Sequence, residues 1–279
     1  MTRRQVLMGA AAMTQARREL LVCGWDELIA LDVAGDSPRK VWSWRAETRE
    51  ELPTEYRKLF RTIDECKPVA GGRVLITASS DGVALIERPS GRVVFWASGA
   101  NAHSAEMLPG GRIAVACSVR QKGGNRVVLF DAARPAEELA SVPLYSGHGV
   151  VWDGERETLW ALGGRVLLAL SADLKVKAEF ELPDEGGHDL WHVPGTQSLG
   201  VTTHDGVWVF DRATRVFRRH PDLGSLAHVK SVAPHPVTGE LAYIQADLPE
   251  WWSERIEFLH PRRTVRLNGE RLYKARWAL

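Results

Sequence analysis

An all-β, six-bladed propeller is the fold this sequence predicts, on three observations: a repeat of about 40 residues, a composition suited to short strands, and chain ends that complement each other. Setting the segment from Asp64 over that from His103 aligns Ala70-Gly71-Gly72-Arg73 with Pro109-Gly110-Gly111-Arg112, and the same template fits from His148, His188 and His228. These starts are 39, 45, 40 and 40 residues apart. A unit of that length with four strand-like runs is the mark of one propeller blade. Eleven Trp and 25 Gly in a chain without long helical periodicity point to many strands joined by tight turns.

Each element follows from local chemistry. The first strand of a unit ends at a Pro-Gly or Gly-Gly turn. The second is rich in β-formers, as in Val74 to Thr77, Ile113 to Cys117, Leu199 to Thr203 and Leu241 to Gln245. The third opens after Asp81-Gly82, Gly123-Gly124, Gly163-Gly164 or Asp205-Gly206, where glycine is expected to supply the positive φ of a hairpin. The fourth is the outer strand, for example Arg92 to Trp96 and Val216 to Arg219. At the amino end, Glu19 to Gly24, Glu27 to Val33 and Lys40 to Trp44 supply the second, third and fourth strands of another blade that lacks its first. At the carboxyl end, Arg271 to Trp277 follows a unit that is already complete. That segment is therefore expected to become the innermost strand of the amino-terminal blade, closing the ring and removing two exposed edges.

Composition excludes several classes. With 44% hydrophobic and 25% charged residues in 279, the chain can bury a full-sized core. Thirty-six Lys and Arg against 35 Asp and Glu leave a net charge of +1, so no basic excess exists to drive nucleic-acid binding. Cys23, Cys66 and Cys117 are odd in number and widely spaced, which suggests neither a disulfide framework nor a thiolate metal site; they read as small buried hydrophobes. Residues 1–16 place Arg3-Arg4 before the apolar run Val6 to Met13, a pattern similar to a short twin-arginine export signal, which would put residues 17–279 in the periplasm or outside the cell. A frayed terminus on a cytoplasmic protein is the other reading. No further stretch is long and apolar enough to span a membrane.

The repeat resembles WD40-like propellers, above all in the run from His228 through Val-Lys-Ser-Val-Ala-Pro-His-Pro-Val-Thr-Gly-Glu to Leu241-Ala242. More narrowly, the segments RRELLVCGWDEL from Arg17, DECKPV from Asp64, NAHSAEMLPGG from Asn101 and YKARW from Tyr273 look like an uncharacterised group of bacterial secreted six-bladed propellers. The resemblance implies a fold over nearly the whole of residues 17–279 and brings no established activity.

The register places Asp64, His103, His148, His188 and His228 at one position, the entry to the innermost strand of each unit. Equivalent positions of successive blades lie at equal height round the axial channel, so four imidazoles and a carboxylate are expected to face a common centre. Imidazole is a preferred ligand for a divalent metal such as Mn, Zn, Fe or Ni, and such a mouth leaves positions open for water or substrate. A structural ring, like the Gly-His pair of WD40 repeats, fits Gly147-His148 and Gly187-His188 as well; a metal-free polar pocket is the third reading. Asp64 favours the metal, because a carboxylate replaces imidazole as a ligand but not as a donor. His192, His204, His220, His235 and His260 are expected at the surface or in turns.

Other groups are expected at the same face. Lys67, Arg120, Lys274 and Arg276 are candidates to bind an acidic substrate, and the adjacent Trp251 and Trp252 to stack on a sugar. Pairing with Asp64, Glu65, Glu106 and Asp189 is the structural alternative for those cations. The charged excursion from Arg45 to Ile63 is a candidate lid. No P-loop, dinucleotide fingerprint, nucleophile elbow or HExxH motif is present. The leading expectation is a propeller acting on, or binding, an acidic carbohydrate or related small acid, a metal-dependent lyase or hydrolase in which Lys230 or Tyr273 moves the proton. It is similar in concept to oligogalacturonate lyases, which are seven-bladed. The alternative is a non-enzymatic interaction propeller with a protein partner on the Trp251-Trp252 surface.

Overall fold

The computed structural model describes residues 18–278 except residue 36; the export-signal expectation lies outside the described residues. Six four-stranded antiparallel sheets form the blades of a propeller. Blade one is completed as the sequence predicts. Lys274–Trp277 pairs antiparallel with Glu19–Cys23, which continues to Leu28–Asp32 and Arg39–Trp44. The innermost strands of blades two to six are Ile63–Val69, Ala102–Leu108, Gly149–Asp153, Asp189–His192 and Val229–Pro234. Among the described residues no helix is long and apolar enough to cross a membrane.

Why the inner strands read as continuous apolar runs is visible in the packing. Side chains alternate between sheet faces, and in a propeller both faces of a blade meet a neighbour. Leu21 and Cys23 pack against Ile63, Cys66 and Ile76 of blade two, whereas Leu20 and Val22 pack against Ile244, Ile256 and Phe258 of blade six. Outer strands, solvated on their edge, alternate instead, as Val176–Glu181 does. All three cysteines are free and buried.

Two local expectations are corrected. At Asp81-Gly82 the left-handed residue is Asp81 (φ 84°), not the glycine. Gly82 is required for space, since a Cβ there would lie 2.6 Å from the Leu59 carbonyl oxygen and 2.7 Å from the Phe60 ring. The Arg45–Ile63 excursion is not a lid over the axis. Its Leu52 and Phe60 are buried in the core between blades one and two. Tyr56 packs edge-on to Trp96 of the outer strand of blade two (6.5 Å), and Arg57 is held by the carbonyls of Leu52 and Glu50. Apolar side chains draw the segment outward, away from the channel.

Candidate functional site

Bulges in the innermost strands of three blades, and a similar crowding in the other three, build the axial mouth. In blades two, three and six the ladder slips by a residue between Ile63 and Glu65, Ala102 and Ser104, and Val229 and Ser231, leaving Asp64, His103 and Lys230 as the extra residues. In blades four, five and one the same crowding appears. His148, His188 and Tyr273 donate their backbone N–H to Leu162, Thr202 and Cys23, the residues that Gly149, Asp189 and Lys274 already oppose. A bulge sets two residues of one strand against one of the next and re-aims their side chains. The ring position is therefore Tyr273, Asp64, His103, His148, His188 and Lys230, in order round the axis.

Sequence alignment on the Pro-Gly turns puts His228 in this ring, and the ladder puts Lys230 there instead. His228 lies two residues earlier, with a left-handed backbone (φ 59°) and its ring 6.3 Å from that of His204. His204, expected only as a surface or turn residue, is exposed in a turn but stands at this mouth, 5.1 Å from His188 between ring centroids. The anchoring Pro234 is itself the last residue of the innermost strand of blade six, whereas Ala70 and Pro109 lie beyond theirs, so the turn-based alignment runs two residues early there.

The ring side chains meet one another. His103 stacks on His148 at 4.2 Å with planes 23° apart, and His148 meets His188 edge-on at 5.1 Å. Asp64 Oδ1 lies 3.9 Å from His103 Nδ1, and its carboxylate also accepts the backbone N–H of Ser79. Lys230 Nζ is 3.1 Å from His188 Nε2. His148 donates Nδ1–H to the Ser146 carbonyl (2.9 Å). The Nδ1 atoms of His103 and His188 are buried with no hydrogen-bond partner among the described residues.

Burial and mutual repulsion set the charges. Burial, then neighbouring His148, Lys274 and Lys230, holds the His103 imidazole neutral well below the usual range, and burial with Lys230 does the same to His188. Burial lowers His148 to about 4, against the opposing Ser146 hydrogen bond. The Asp64 carboxyl rises to about 7 because desolvation outweighs its bonds to Ser79, and desolvation alone brings Lys230 down to about 8. Burial, reinforced by Asp64, Asp189 and Glu65, pushes the Tyr273 phenol well up, so it remains a hydroxyl donor.

Beneath the ring, the next residues of the same strands plug the channel. Arg276 donates to Glu65 through Nε and Nη2 (3.0 and 3.1 Å) and to Asp189 through Nη1 and Nη2 (3.0 and 2.6 Å). Lys274 Nζ lies 3.4 Å from Glu65 and 3.2 Å from Asp189. Burial drives the Glu65 carboxyl up, but Arg276, Lys274 and Lys67 outweigh it and hold it well below the usual carboxylate range. Lys274 and Arg276, candidates for substrate contact, thus take the structural alternative: the closing strand supplies two cations to carboxylates of blades two and five. Lys67 bonds Glu106 (2.8 Å) and the Val150 carbonyl (2.7 Å) nearer the opposite mouth, where an apolar basin of about 260 Å³ is lined by Trp191, Trp277 and four prolines.

At the rim, Arg120 is pinned to the Ser79 carbonyl (2.8 Å) and Asp81 (2.6 Å). The tryptophan pair separates. Trp251 stacks with Trp25 (6.2 Å) and meets Tyr273 edge-on (5.6 Å), so it adjoins the ring; Trp252 lies 5.3 Å from the Arg271 guanidinium. Cys23, Trp25 and Arg271 line a neighbouring cavity of about 280 Å³.

The metal expectation requires three or more ring nitrogens aimed at one point, with bonds of roughly 2.0–2.2 Å. His103 and His148 are stacked on each other, and Lys230 Nζ stands 3.1 Å from His188 Nε2. Among the described residues no group of three or more His, Cys, Asp or Glu side chains is arranged to hold a metal ion.

Fold and mouth together define a class: a six-bladed propeller of velcro-closed type whose channel is blocked by ion pairs and whose one mouth carries a ring of polar, largely neutral side chains. The chain belongs to a family of unknown function, DUF6528, whose model matches residues 27–177. A search of curated proteins finds no match. Among solved structures it is similar to a protein of unknown function from Bacteroides caccae, with a TM-score of 0.66 at 13% identity, covering 94% of this chain and 98% of that one. It is similar also to a chain of a nidogen/laminin complex, with a TM-score of 0.65 at 12% identity and the same coverage. At such identities the likeness shows the fold alone.

Proposed function

We propose that the protein binds a small acid, a carboxylate-bearing sugar or a related compound, at the ring of Tyr273, Asp64, His103, His148, His188 and Lys230. The observation that carries this reading is Lys230: among the described residues it is the channel cation with no carboxylate partner, and it adjoins imidazoles whose buried Nδ1 atoms lack partners. A carboxylate entering there gains a charge-assisted bond from the ammonium and neutral N–H and O–H donors beside it. The exposed face of Trp251, edge-on to Tyr273, offers a surface for a sugar ring. Tyr273, whose phenol burial keeps protonated, is the hydroxyl donor beside it.

Binding of galacturonate and of neutral galactose, followed by calorimetry with and without EDTA, tests the reading. The uronate is expected to bind in EDTA and to be lost in Lys230→Met, while galactose does not bind; equal binding of both sugars, or uronate binding untouched by Lys230→Met, overturns it. A divalent metal (Mn, Zn, Fe or Ni) belongs to a variant of this reading that needs His103 and His148 to unstack. Metal analysis of untagged protein separates the two, since only that variant expects a stoichiometric metal lost in a His103→Ala, His188→Ala double mutant. The interaction-propeller reading draws on exposed Leu248 (65%) beside Trp251 and Trp25. It expects protein capture that Leu248→Ser with Trp251→Ser abolishes.

A further inference from the structure

The cations of the channel fall into two kinds. Lys67, Lys274 and Arg276 each face at least one carboxylate, at 2.8, 3.2 and 2.6 Å respectively. Among the described residues Lys230 faces none within 4 Å, and its one side-chain partner is His188 Nε2, on an imidazole that burial keeps neutral. The bulge between Val229 and Ser231 aims this amine into the ring, between His188 of blade five and Tyr273 of blade one. An ammonium beside a carboxylate is a structural charge; an amine among neutral imidazoles in a partly dry mouth is a nucleophile.

We infer that Lys230 Nζ forms an imine with the carbonyl carbon of a small aldehyde or 2-oxo acid that enters the histidine mouth. This deepens the small-acid reading and rests on it for the site; while Lys230 reacts in its neutral form, the acid group of the substrate is met by the unpartnered imidazole Nδ1 groups of His103 and His188. The balance is simple. The neutral amine adds its lone pair to the carbonyl carbon, the C=O π bond opens, and one N–H proton passes to oxygen to give the carbinolamine. A proton from the aqueous mouth then lets that hydroxyl leave as water, and the nitrogen lone pair forms the C=N bond, leaving a protonated imine on the lysine. His188, 3.1 Å away, is a positioning residue that orients the lone pair, and the Tyr273 hydroxyl is the neighbouring donor toward the carbonyl oxygen.

Reductive trapping of the native protein tests this directly. Folded protein is incubated with cyanoborohydride and either glyoxylate or glycolaldehyde, and modified lysines are located by peptide mass mapping. With glyoxylate, Lys230 is expected to become carboxymethyl-lysine at least about tenfold faster than the exposed Lys122 and Lys175, because desolvation and a neutral neighbour activate an amine. His188→Gln should slow Lys230 and leave Lys122 unchanged. Labelling of Lys230 at or below the rate of the exposed lysines in protein whose circular dichroism is native overturns the proposal. Glyoxylate that protects Lys230 from acetylation without being trapped also overturns the imine, while leaving small-acid binding in place. Trapping of glycolaldehyde as readily as glyoxylate upholds the imine and removes the acid preference.

Discussion

Replacing Arg276 by methionine removes the four hydrogen bonds that join Glu65 and Asp189 across the axis, between 2.6 and 3.1 Å long. Methionine fills a similar volume, so the loss is mainly electrostatic. Two buried carboxylates are left facing the single ammonium of Lys274, and breaking a buried pair this way costs about 3–5 kcal/mol. The slope of urea unfolding grows with chain size and for 279 residues lies near the upper end of its usual range, about 3 kcal/mol/M, so the midpoint followed by tryptophan fluorescence should fall by about 1–2 M. Adding Asp189→Asn restores charge balance between Lys274 and Glu65, and the double variant should be more stable than the sum of the single effects by about 0.5–3 kcal/mol. The pH dependence has a definite sign. Glu65 is held below its unfolded value of about 4.3, so its contribution is complete above that pH and is lost as pH falls. In Arg276→Met the orphaned carboxyl protonates readily, so the deficit against wild type should shrink below about pH 4. A single variant costing under about 1 kcal/mol, or strictly additive effects, refutes the view that these charges fasten the closing strand.

Deleting residues 271–279 should yield aggregated protein, because losing Leu272, Ala275 and Trp277 uncovers Leu20, Val22, Ala233 and Phe258, which pack against them, and the inner edge of blade one; a soluble, cooperatively folding truncation would contradict the closure. The His148 imidazole should titrate near 4 in a two-dimensional proton–nitrogen NMR series. Because its folded value lies below its unfolded one, it adds stability as pH rises from about 4 to 6.5, and a midpoint near 6.5 would remove it from the buried ring. Gly82→Ala should destabilise by about 1–3 kcal/mol as the methyl group meets Leu59 and Phe60; a neutral result in chemical denaturation would mean that the Leu59–Phe60 segment yields.

The six blades, their strand order and the closure by the last strand were legible in the chain because they rest on period and alternation. Apolar residues such as Leu20 to Cys23 must all be buried, and only a sheet covered on both faces accepts a continuous run. The recurrence of Asp64, His103, His148 and His188 at one height was legible for the same reason. What turn spacing does not encode is where a strand ends relative to its turn. Blade six reaches the mouth through Lys230 because its bulge falls two residues beyond His228, and the closing strand adds Tyr273 at the same level. The partners of charges are likewise a property of the assembled ring. Lys274 and Arg276 are separated from Glu65 by some two hundred residues, and only closure brings them together. Sequence by itself determined the blades, the closing strand and the ring positions Asp64, His103, His148 and His188, since these follow from period and alternation. Tertiary structure decided which residues of the axis neutralise one another and which, like Lys230, stand without a carboxylate, since Coulomb energy depends on distances that exist only once the six blades have met.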